Sequence, residues 1–221
     1  MPPKYSADPS LQQLLENGLD KLGVVCTDRQ VELLLDYLGL LITWNSAYNL
    51  TAIRDPKKMV ALHLLDSLAI LPHITGERLI DVGTGAGLPG IPLAIMFPEK
   101  TFKLLDSNGK KTRFLFQARS QLGLKNLTEI QTRVEQFTPE QTFDTVLSRA
   151  FSSVAEMVSL CKHLLSDNGR FLAMKGKFPQ SELSLLEKGF KVDASHQLTV
   201  PGVEGERHLI EIIRADINNS I

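Results

Sequence analysis

The feature that most constrains the fold is a glycine-rich stretch at residues 79–90, which runs Leu-Ile-Asp-Val-Gly-Thr-Gly-Ala-Gly-Leu-Pro-Gly. Its apolar start predicts a buried strand, and the alternating glycines predict a sharp loop that leads into a helix. Gly83, Gly85 and Gly87 lack a Cβ, so the backbone can turn there and approach a ligand closely. The amide groups at the start of the next helix then face that ligand. The stretch therefore predicts a cofactor site at the end of a strand.

Two carboxylates bear on which class of cofactor the loop binds. Asp81, where the strand ends, adds negative charge to the crevice, which suits an amine or sulfonium centre and repels a phosphate. Residues 85–90 also fit the dinucleotide pattern G-x-G-x-x-G, and Asp106 follows about twenty residues on, as a ribose-binding acid does. Residues 101–106 are typical of a second strand, so Asp106 is expected to accept hydrogen bonds from ribose hydroxyls. The alternative is an ordinary strand-to-helix turn in which Asp106 caps the following helix.

Composition and charge exclude several classes of protein. The 221 residues are 43% hydrophobic and 22% charged, with a formal net charge of −1, as in a globular protein with one well-buried core. A globally basic nucleic-acid binder is excluded, but a local basic face is not. Cys26 and Cys161 are expected to be free thiols, and five histidines without a cysteine cluster predict no metal site. Because the sequence has neither a signal-peptide pattern nor a membrane-spanning apolar run, we expect a cytoplasmic protein with no membrane partner.

The first third of the chain predicts helices. Capping boxes at Ser10 and Thr27 predict the starts of two of them, and Asp55 followed by a proline predicts the start of a third. We therefore expect an N-terminal helical extension over residues 1–74.

From Leu79 onward strands and helices alternate, which is typical of an α/β sheet with helices on both faces. Strands are predicted at 78–82, 101–106, 127–131, 143–148, 169–174, 189–197 and 208–213, and helices at 90–97, 108–123, 152–166 and 179–188. No helix fits between the last two strands, so the sheet is expected to end in an antiparallel hairpin around residues 201–205. We expect this sheet domain to cover 75–214 and a flexible tail to follow at 215–221.

Five segments together resemble one protein family. They are 49–53 (NLTAI), 63–67 (HLLDS), 81–92 (DVGTGAGLPGIP), 148–150 (SRA) and 205–207 (GER). In this order they resemble the bacterial small-subunit ribosomal RNA guanine-N7 methyltransferases, also called glucose-inhibited division protein B. The resemblance covers nearly the whole chain apart from its N-terminal end.

The resemblance implies a Rossmann-like α/β fold of the S-adenosylmethionine-dependent methyltransferase type, with a terminal antiparallel hairpin and an N-terminal helical extension. It implies S-adenosylmethionine as the cofactor and methyl transfer to N7 of a guanine in small-subunit ribosomal RNA. The expected partner is that RNA or the small ribosomal subunit, and we expect a monomer. Ala86 stands where relatives often carry proline, which is expected to loosen the turn slightly.

The predicted cofactor-binding residues come from two sources. The family's contacts correspond here to Gly83, Leu88, Arg149 and, beside the adenine, Val134 and Glu135. The chemistry of the residues themselves adds Asp81, Gly85, Gly87 and Asp106.

Several of these residues have a plainer structural interpretation. Arg149 follows an apolar strand, so it is expected at the carboxyl edge of the sheet, where it can hold the cofactor's methionine carboxylate. The alternative for Arg149 is a surface ion pair. Glu135 is alternatively a solvated or helix-capping acid, and Val134 a core residue. His63 and Asp66, three residues apart on a helix, are candidates for a pair that fixes the helical extension.

Basic residues recur at the same edge of the predicted sheet. The RNA-binding candidates are Lys110, Arg113, Lys175, Lys177 and Arg207, with Lys111 nearby. Phosphate is neutralised locally, so a nearly neutral chain can still bind RNA through such a face. Lys175 and Arg207 are favoured because each borders a strand at the ligand edge. The alternative is that these side chains are simply solvated.

No catalytic base is predicted for methyl transfer to guanine N7. That nitrogen already has a lone pair and loses no proton, so the protein has only to align it with the methyl donor. The guanine must come from a single-stranded or splayed element, since N7 lies in the deep groove of an A-form helix. Two rival functions are a nicotinamide-dependent oxidoreductase, disfavoured by Asp81 and the hairpin, and a non-enzymatic RNA-binding protein, disfavoured by the intact glycines, Asp106 and Arg149.

Overall fold

The computed structural model of the chain describes residues 8–149, 151 and 153–215. The strands in this part are β1 (Arg78–Val82), β2 (Thr101–Asp106), β3 (Leu127–Gln131), β4 (Phe143–Ser148), β5 (Leu165–Lys175), β6 (Phe190–Gln197) and β7 (His208–Arg214). They form one seven-stranded sheet in the order β3-β2-β1-β4-β5-β7-β6. The first five strands run parallel, and β7 is antiparallel to both β5 and β6. The predicted α/β sheet with a terminal antiparallel hairpin is confirmed.

The helices precede the sheet and connect its strands. They are α1 (Pro9–Leu22), α2 (Asp28–Tyr48), α3 (Pro56–Met59), α4 (Asp66–Leu68), α5 (Gly90–Met96), α6 (Gly109–Leu122), α7 (Val154–Cys161) and α8 (Gln180–Leu183). A π-helical stretch, Val60–Leu65, joins α3 to α4, so the third predicted helix is one helical run with a widened middle. His63 and Asp66 both lie on its buried side.

The predicted helix starts are right in two cases and wrong in one. Thr27 caps α2 in a complete capping box with Gln30, and Asp55 caps α3. Ser10 does not cap α1, because the carboxylate of Asp8 accepts a hydrogen bond of 2.9 Å from the Ser10 amide and so starts the helix earlier.

Two predicted helices are shorter than expected. The helix predicted at 152–166 ends at Cys161, because the Leu164 carbonyl accepts a hydrogen bond from the Phe143 amide and draws the chain into the sheet. Leu165 then pairs with Phe143, so β5 starts before the predicted residue 169. The helix predicted at 179–188 ends at Leu183, well before Gly189, whose φ of +95° belongs to a turn.

Each face of the sheet has its own apolar core. On one face, side chains of α1, α2, α5 and α6 share a cluster that includes Leu15, Leu38 and Phe114. On the other face, α7 packs against side chains such as Val146 and Phe171. The N-terminal helices are therefore part of the main core.

The strand order places the carboxyl ends of β1 and β4 side by side. After β1 the chain runs outward to β2 and β3, and then returns to β4 on the other side of β1. Open parallel sheets bind ligands in the crevice where the order reverses in this way. That crevice is where the glycine-rich loop lies.

Part of the predicted tail, residues 216–221, lies outside the described residues, as do residues 1–7, Ala150 and Ser152. Among the described helices, none combines the length and apolar character needed to cross a membrane.

Candidate functional site

The glycine-rich loop that follows β1 has the backbone conformation that its glycines allow. Gly83, Gly85 and Gly87 have φ values of +68°, +62° and +88°. A Cβ on Gly85 would meet no atom closer than 4.0 Å, whereas one on Gly87 would lie 2.5 Å from the Ile91 side chain. Gly87 is therefore needed for packing against α5. Gly85 instead faces open space, at the position predicted for the cofactor.

The side chain of Asp81 holds the glycine-rich loop in place through hydrogen bonds. It is fully buried, and Oδ2 accepts hydrogen bonds of 2.7 Å from Thr84 Oγ1 and 2.9 Å from the Gly90 amide. Oδ1 is also buried and has no partner among the described residues. Burial raises the pKa of Asp81 to about 7, against the lowering effect of the two hydrogen bonds. One oxygen of Asp81 thus holds the loop, and the other lies buried beside it without a partner among the described residues.

Asp106 lies at the end of β2, as predicted, and contacts the loop. Oδ2 accepts a hydrogen bond of 2.9 Å from the Gly85 amide and lies 3.4 Å from Lys111 Nζ. Oδ1 accepts a hydrogen bond from the Asn108 amide. Asn108, not Asp106, caps α6, so the capping alternative for Asp106 is wrong. The carboxylate lies at the crevice, beside Lys111. The sequence indicated Lys111 only as a basic residue near the predicted RNA face.

Tyr37 is a site residue that sequence reasoning missed. Its ring is fully buried, and its hydroxyl donates a hydrogen bond of 2.7 Å to the Ala86 carbonyl in the glycine-rich loop. In the sequence Tyr37 lies within the apolar stripe of α2, where a tyrosine looks like another core residue. Its hydroxyl is the only available signal, because a buried hydroxyl requires a partner. The N-terminal helix α2 therefore fixes the loop directly.

Arg149 lies at the carboxyl edge of β4 and pairs with a buried acid. Its Nη1 lies 3.2 Å from Asp66 Oδ2 and 3.3 Å from the Leu62 carbonyl. Arg207 Nε lies 2.9 Å from the other oxygen, Asp66 Oδ1. Asp66 thus forms ion pairs with two predicted site residues and holds both against the N-terminal helical run.

The candidate pair of His63 and Asp66 does not form a hydrogen bond. His63 Nε2 lies 2.9 Å from Thr51 Oγ1, and its Nδ1 lies 3.1 Å from the Leu62 carbonyl. Burial, and then the nearby charge of Arg149, lower the pKa of His63 to about 4. The imidazole is therefore neutral at physiological pH.

These residues surround an open pocket of about 340 Å³ between the N-terminal helices and the terminal hairpin. Its polar walls are His63, Asp66, Arg149, Lys175, Arg207 and His208, and its apolar walls include Leu62 and Met174. Ser148, just before Arg149, donates a hydrogen bond of 2.7 Å to the Val82 carbonyl, just before Gly83. The pocket therefore adjoins the crevice of the glycine-rich loop.

The remaining predicted cofactor contacts lie on other elements around the crevice. Leu88 is buried at the end of the loop. Val134 and Glu135 lie in a 3₁₀ turn, Val134–Gln136, that follows β3. Val134 is buried in the same core cluster as Val82 and Leu105, whereas Glu135 is exposed.

The predicted basic face divides into two groups. Lys110, Arg113 and Lys177 are exposed. Lys175 is mostly buried and lies 2.9 Å from Glu182 Oε2, and Arg207 pairs with Asp66 as described above. The two residues that sequence reasoning favoured for RNA phosphate thus already have carboxylate partners, and their RNA contact stays a prediction.

Comparison with known proteins adds a family and a fold. The model of the GidB family, described as rRNA small subunit methyltransferase G, matches residues 30–210. The chain is 59% identical over 206 residues to the ribosomal RNA small subunit methyltransferase G of Saccharophagus degradans, covering 93% of this chain and 92% of that protein. It is 53% identical over 200 residues to the protein of the same name from Alteromonas mediterranea, covering 90% and 95% of the two chains.

A solved structure shows the same fold at low sequence identity. The glycopeptide N-methyltransferase MtfA, complexed with S-adenosylmethionine, aligns with a TM-score of 0.59 at 12% identity, over 69% of this chain and 87% of that one. The likeness confirms the Rossmann-like fold of the S-adenosylmethionine-dependent methyltransferases.

Proposed function

The chain belongs to the GidB family of small-subunit ribosomal RNA methyltransferases, and from this membership we propose that it transfers a methyl group from S-adenosylmethionine to N7 of a guanine in 16S ribosomal RNA. The observation that carries the proposal is the family match across the whole glycine-rich loop, together with the open crevice at Gly85. Its partner is small-subunit ribosomal RNA, as free RNA or in an assembled subunit.

The residues around the crevice fit S-adenosylmethionine. When bound, this cofactor supplies an activated methyl group on a sulfonium sulfur, so the protein has mainly to position the reactants. The space above Gly85 admits a ligand that any side chain there would block. The buried Asp81 Oδ1, which has no partner among the described residues, supplies an acceptor suited to a cationic or N–H-bearing ligand.

We assign the remaining contacts by chemistry. Asp106 accepts hydrogen bonds from the ribose hydroxyls in place of the Lys111 ammonium, and Arg149 holds the methionine carboxylate. Both bonds that Arg149 makes to Leu62 and Asp66 use Nη1, and a guanidinium has five N–H donors. Further contacts come from the backbone of Gly83 and Gly87, from Leu88, and from Val134 and Glu135 beside the adenine.

We place the target guanine in the pocket next to the crevice. A volume of about 340 Å³ suits a single base, and Leu62 and Met174 offer apolar surface to its ring. Neutral His63 lines the pocket without repelling the arginines, and both of its nitrogens stay bonded to Thr51 and the Leu62 carbonyl. Arg149 lines this pocket and also borders the crevice, so a base held there lies next to the methyl donor. N7 attacks with its own lone pair, and no side chain has to remove a proton.

The RNA backbone contacts are assigned to the exposed cations first. Lys110 and Arg113 lie at the start of α6, and Lys177 follows β5. All three flank the carboxyl edge of the sheet, where phosphates beside a splayed guanine would lie. Lys175 and Arg207 line the pocket, so any phosphate they contact is one adjacent to the target base.

A direct assay tests the proposal. The purified chain is incubated with methyl-tritiated S-adenosylmethionine and either naked 16S RNA or small subunits from a strain that lacks the corresponding gene. Incorporated label is located by borohydride reduction and aniline cleavage, which cut RNA at N7-methylguanine. We expect one cleavage site with the wild-type chain and none with Gly85→Val. Label that resists this cleavage, or no label on either substrate, contradicts the proposal.

A further inference from the structure

A second polar cluster lies apart from the glycine-rich loop. His73 ends a 3₁₀ turn, Leu71–His73, that precedes β1, whereas His196 is on β6 and Glu211 is on β7. Glu211 Oε1 lies 3.1 Å from His73 Nδ1 and 2.9 Å from His196 Nε2. The two imidazole rings lie 4.0 Å apart between centroids. Three side chains from distant parts of the sequence thus direct two nitrogens and one oxygen at a common point.

We propose that His73, His196 and Glu211 form a binding site for one divalent transition-metal ion of the zinc type. Their three ligand atoms all lie within 4.8 Å of one another. Two imidazole nitrogens and a carboxylate oxygen are a common protein ligand set for zinc, with water in the fourth position. Ligand bonds of about 2.0–2.2 Å place neighbouring ligand atoms roughly 3.3 Å apart in a tetrahedron. The observed nitrogen–oxygen separations are close to that value, so small side-chain rotations suffice.

The surroundings of Glu211 favour a metal ligand. Arg170 Nη1 lies 2.6 Å from Oε2, which orients the carboxylate and leaves Oε1 directed at the two histidines. Outer-sphere hydrogen bonds of this kind hold metal-binding carboxylates in place. The Glu211 side chain is 6% exposed, whereas His73 and His196 are 20% and 33% exposed, so an ion can enter past the imidazoles.

The ligand set also selects among metals. Two imidazoles disfavour magnesium and calcium, which prefer oxygen ligands, and favour zinc, nickel or cobalt. To bind the ion, His73 Nδ1 and His196 Nε2 must present lone pairs, so each ring then carries its proton on its other nitrogen. No oxidation or group transfer is involved.

A metal ion bound by His73, His196 and Glu211 links the helical extension to the terminal hairpin. His73 belongs to the turn that ends the extension, and the other two ligands belong to the two hairpin strands. Glu211 pairs with Leu172 on β5, three residues before the carboxyl end of that strand at Lys175, or roughly 10 Å at a strand's rise per residue. The ion therefore stabilises the contact between the extension and the hairpin without contacting the glycine-rich loop. This proposal does not rest on the proposed function.

A zinc titration tests the site. Tag-free protein, freed of metal with a chelator, is titrated with Zn²⁺ against a chromophoric zinc indicator, and Co²⁺ is used in parallel for its visible absorption. We expect one equivalent to bind. His73→Gln and His196→Gln each weaken the affinity at least about 100-fold, beyond the loss that outer-sphere substitutions cause. His163→Gln, a matched change at an exposed histidine bonded to the Phe137 carbonyl, keeps the wild-type affinity.

Thermal unfolding supplies a second readout. At a hundredfold excess over Kd, Zn²⁺ raises the wild-type Tm by about 5 to 11 °C. The same Zn²⁺ raises the Tm of the two ligand variants by no more than about 2 °C, and their circular dichroism without metal matches the wild type. Absence of a one-equivalent binding step in the wild type overturns the proposal. So does wild-type affinity in either folded ligand variant.

Discussion

The guanidinium of Arg149 and the carboxylate of Asp66 form an ion pair of 3.2 Å that joins the end of β4 to the N-terminal helical run. Arg207, which precedes β7, takes the other oxygen of the same carboxylate at 2.9 Å. Two guanidinium groups therefore share one negative charge at the wall of the pocket. The surplus positive charge suits an anionic partner such as RNA or the carboxylate of the cofactor. The helical extension thus positions the arginines on which the proposed chemistry depends.

Replacing Arg149 tests this positioning. Arg149→Ala removes a charge-assisted contact worth about 1.5–3 kcal/mol, so kcat/KM for methyl transfer is expected to fall roughly 10- to 150-fold. The fold is expected to survive because Asp66 keeps its pair with Arg207. Arg29→Ala, at an exposed ion pair near the start of α2, serves as the matched control and keeps full activity. Wild-type activity of Arg149→Ala, or a loss of activity that circular dichroism traces to unfolding, contradicts the assigned role.

The glycine-rich loop can be tested with a pair of valine variants. Gly85 and Gly123 have nearly equal φ values of +62° and +67°, and in neither case would a Cβ meet a close neighbour. Both valines are therefore expected to cost similar stability, at least about 1–2 kcal/mol from the left-handed backbone. Only Gly85→Val is expected to abolish S-adenosylmethionine binding in calorimetry, because its side chain fills the crevice. Equal cofactor affinity in the two variants would falsify the location of the site.

The buried imidazole of His63 makes stability depend on pH. Burial, followed by the charge of Arg149, lowers its pKa in the fold to about 4, below the ordinary value of 6.5. Protonation thus favours the unfolded chain, and the stability contributed by neutral His63 is present above pH 6.5 and is lost as the pH falls toward 4. Buried Asp81, with its pKa raised to about 7, has the opposite slope in this range, so wild type alone is uninformative.

A His63→Gln variant isolates that effect. Between pH 7 and pH 5, wild type is expected to lose about 2 kcal/mol of unfolding free energy relative to His63→Gln. Urea unfolding at the two pH values measures the difference, and the contribution of Asp81 cancels because both proteins contain it. Parallel pH dependence of the two proteins contradicts a neutral buried His63.

The sequence predicted those parts of the fold and site that depend on local patterns. Gly83, Gly85 and Gly87 are recognisable because their conformation depends on the glycines themselves, and Asp106 because it ends the next strand. The hairpin followed from the lack of room for a helix. Helix ends were less predictable: Asp8 and Ser10 are both good caps, and only tertiary packing selects between them.

Contacts between distant segments could not be predicted in this way. Asp66 meets Arg149 and Arg207 across 83 and 141 residues of sequence, so a helix-spacing argument offered His63 as its partner instead. Tyr37 contacts the loop from 49 residues away while looking like one more apolar core position. His73, His196 and Glu211 meet only once the sheet is complete, which is why the histidine count predicted no metal site.

Salt dependence of RNA binding separates the two groups of basic residues. Lys177→Ala is expected to flatten the slope of log affinity against log salt by roughly 0.7–0.9, through the counterions no longer released. Lys21→Ala, at an exposed lysine on α1, is the control and leaves the slope unchanged. Arg207→Ala tests the remaining prediction: a flattened slope with cofactor affinity retained supports a phosphate contact. An unaltered slope with reduced activity assigns Arg207 to the pocket alone.

The most direct test of the methyltransferase assignment is mass mapping of 16S RNA from a strain that lacks this gene. The strain is complemented in turn with the wild-type chain, Gly85→Val and Gly123→Val, and the fragments are compared with those of the parent. We expect that one guanine loses a single methyl mass on deletion and regains it, at N7, with wild type and Gly123→Val but not with Gly85→Val. An unchanged fragment map on deletion, or restoration by Gly85→Val, would contradict it.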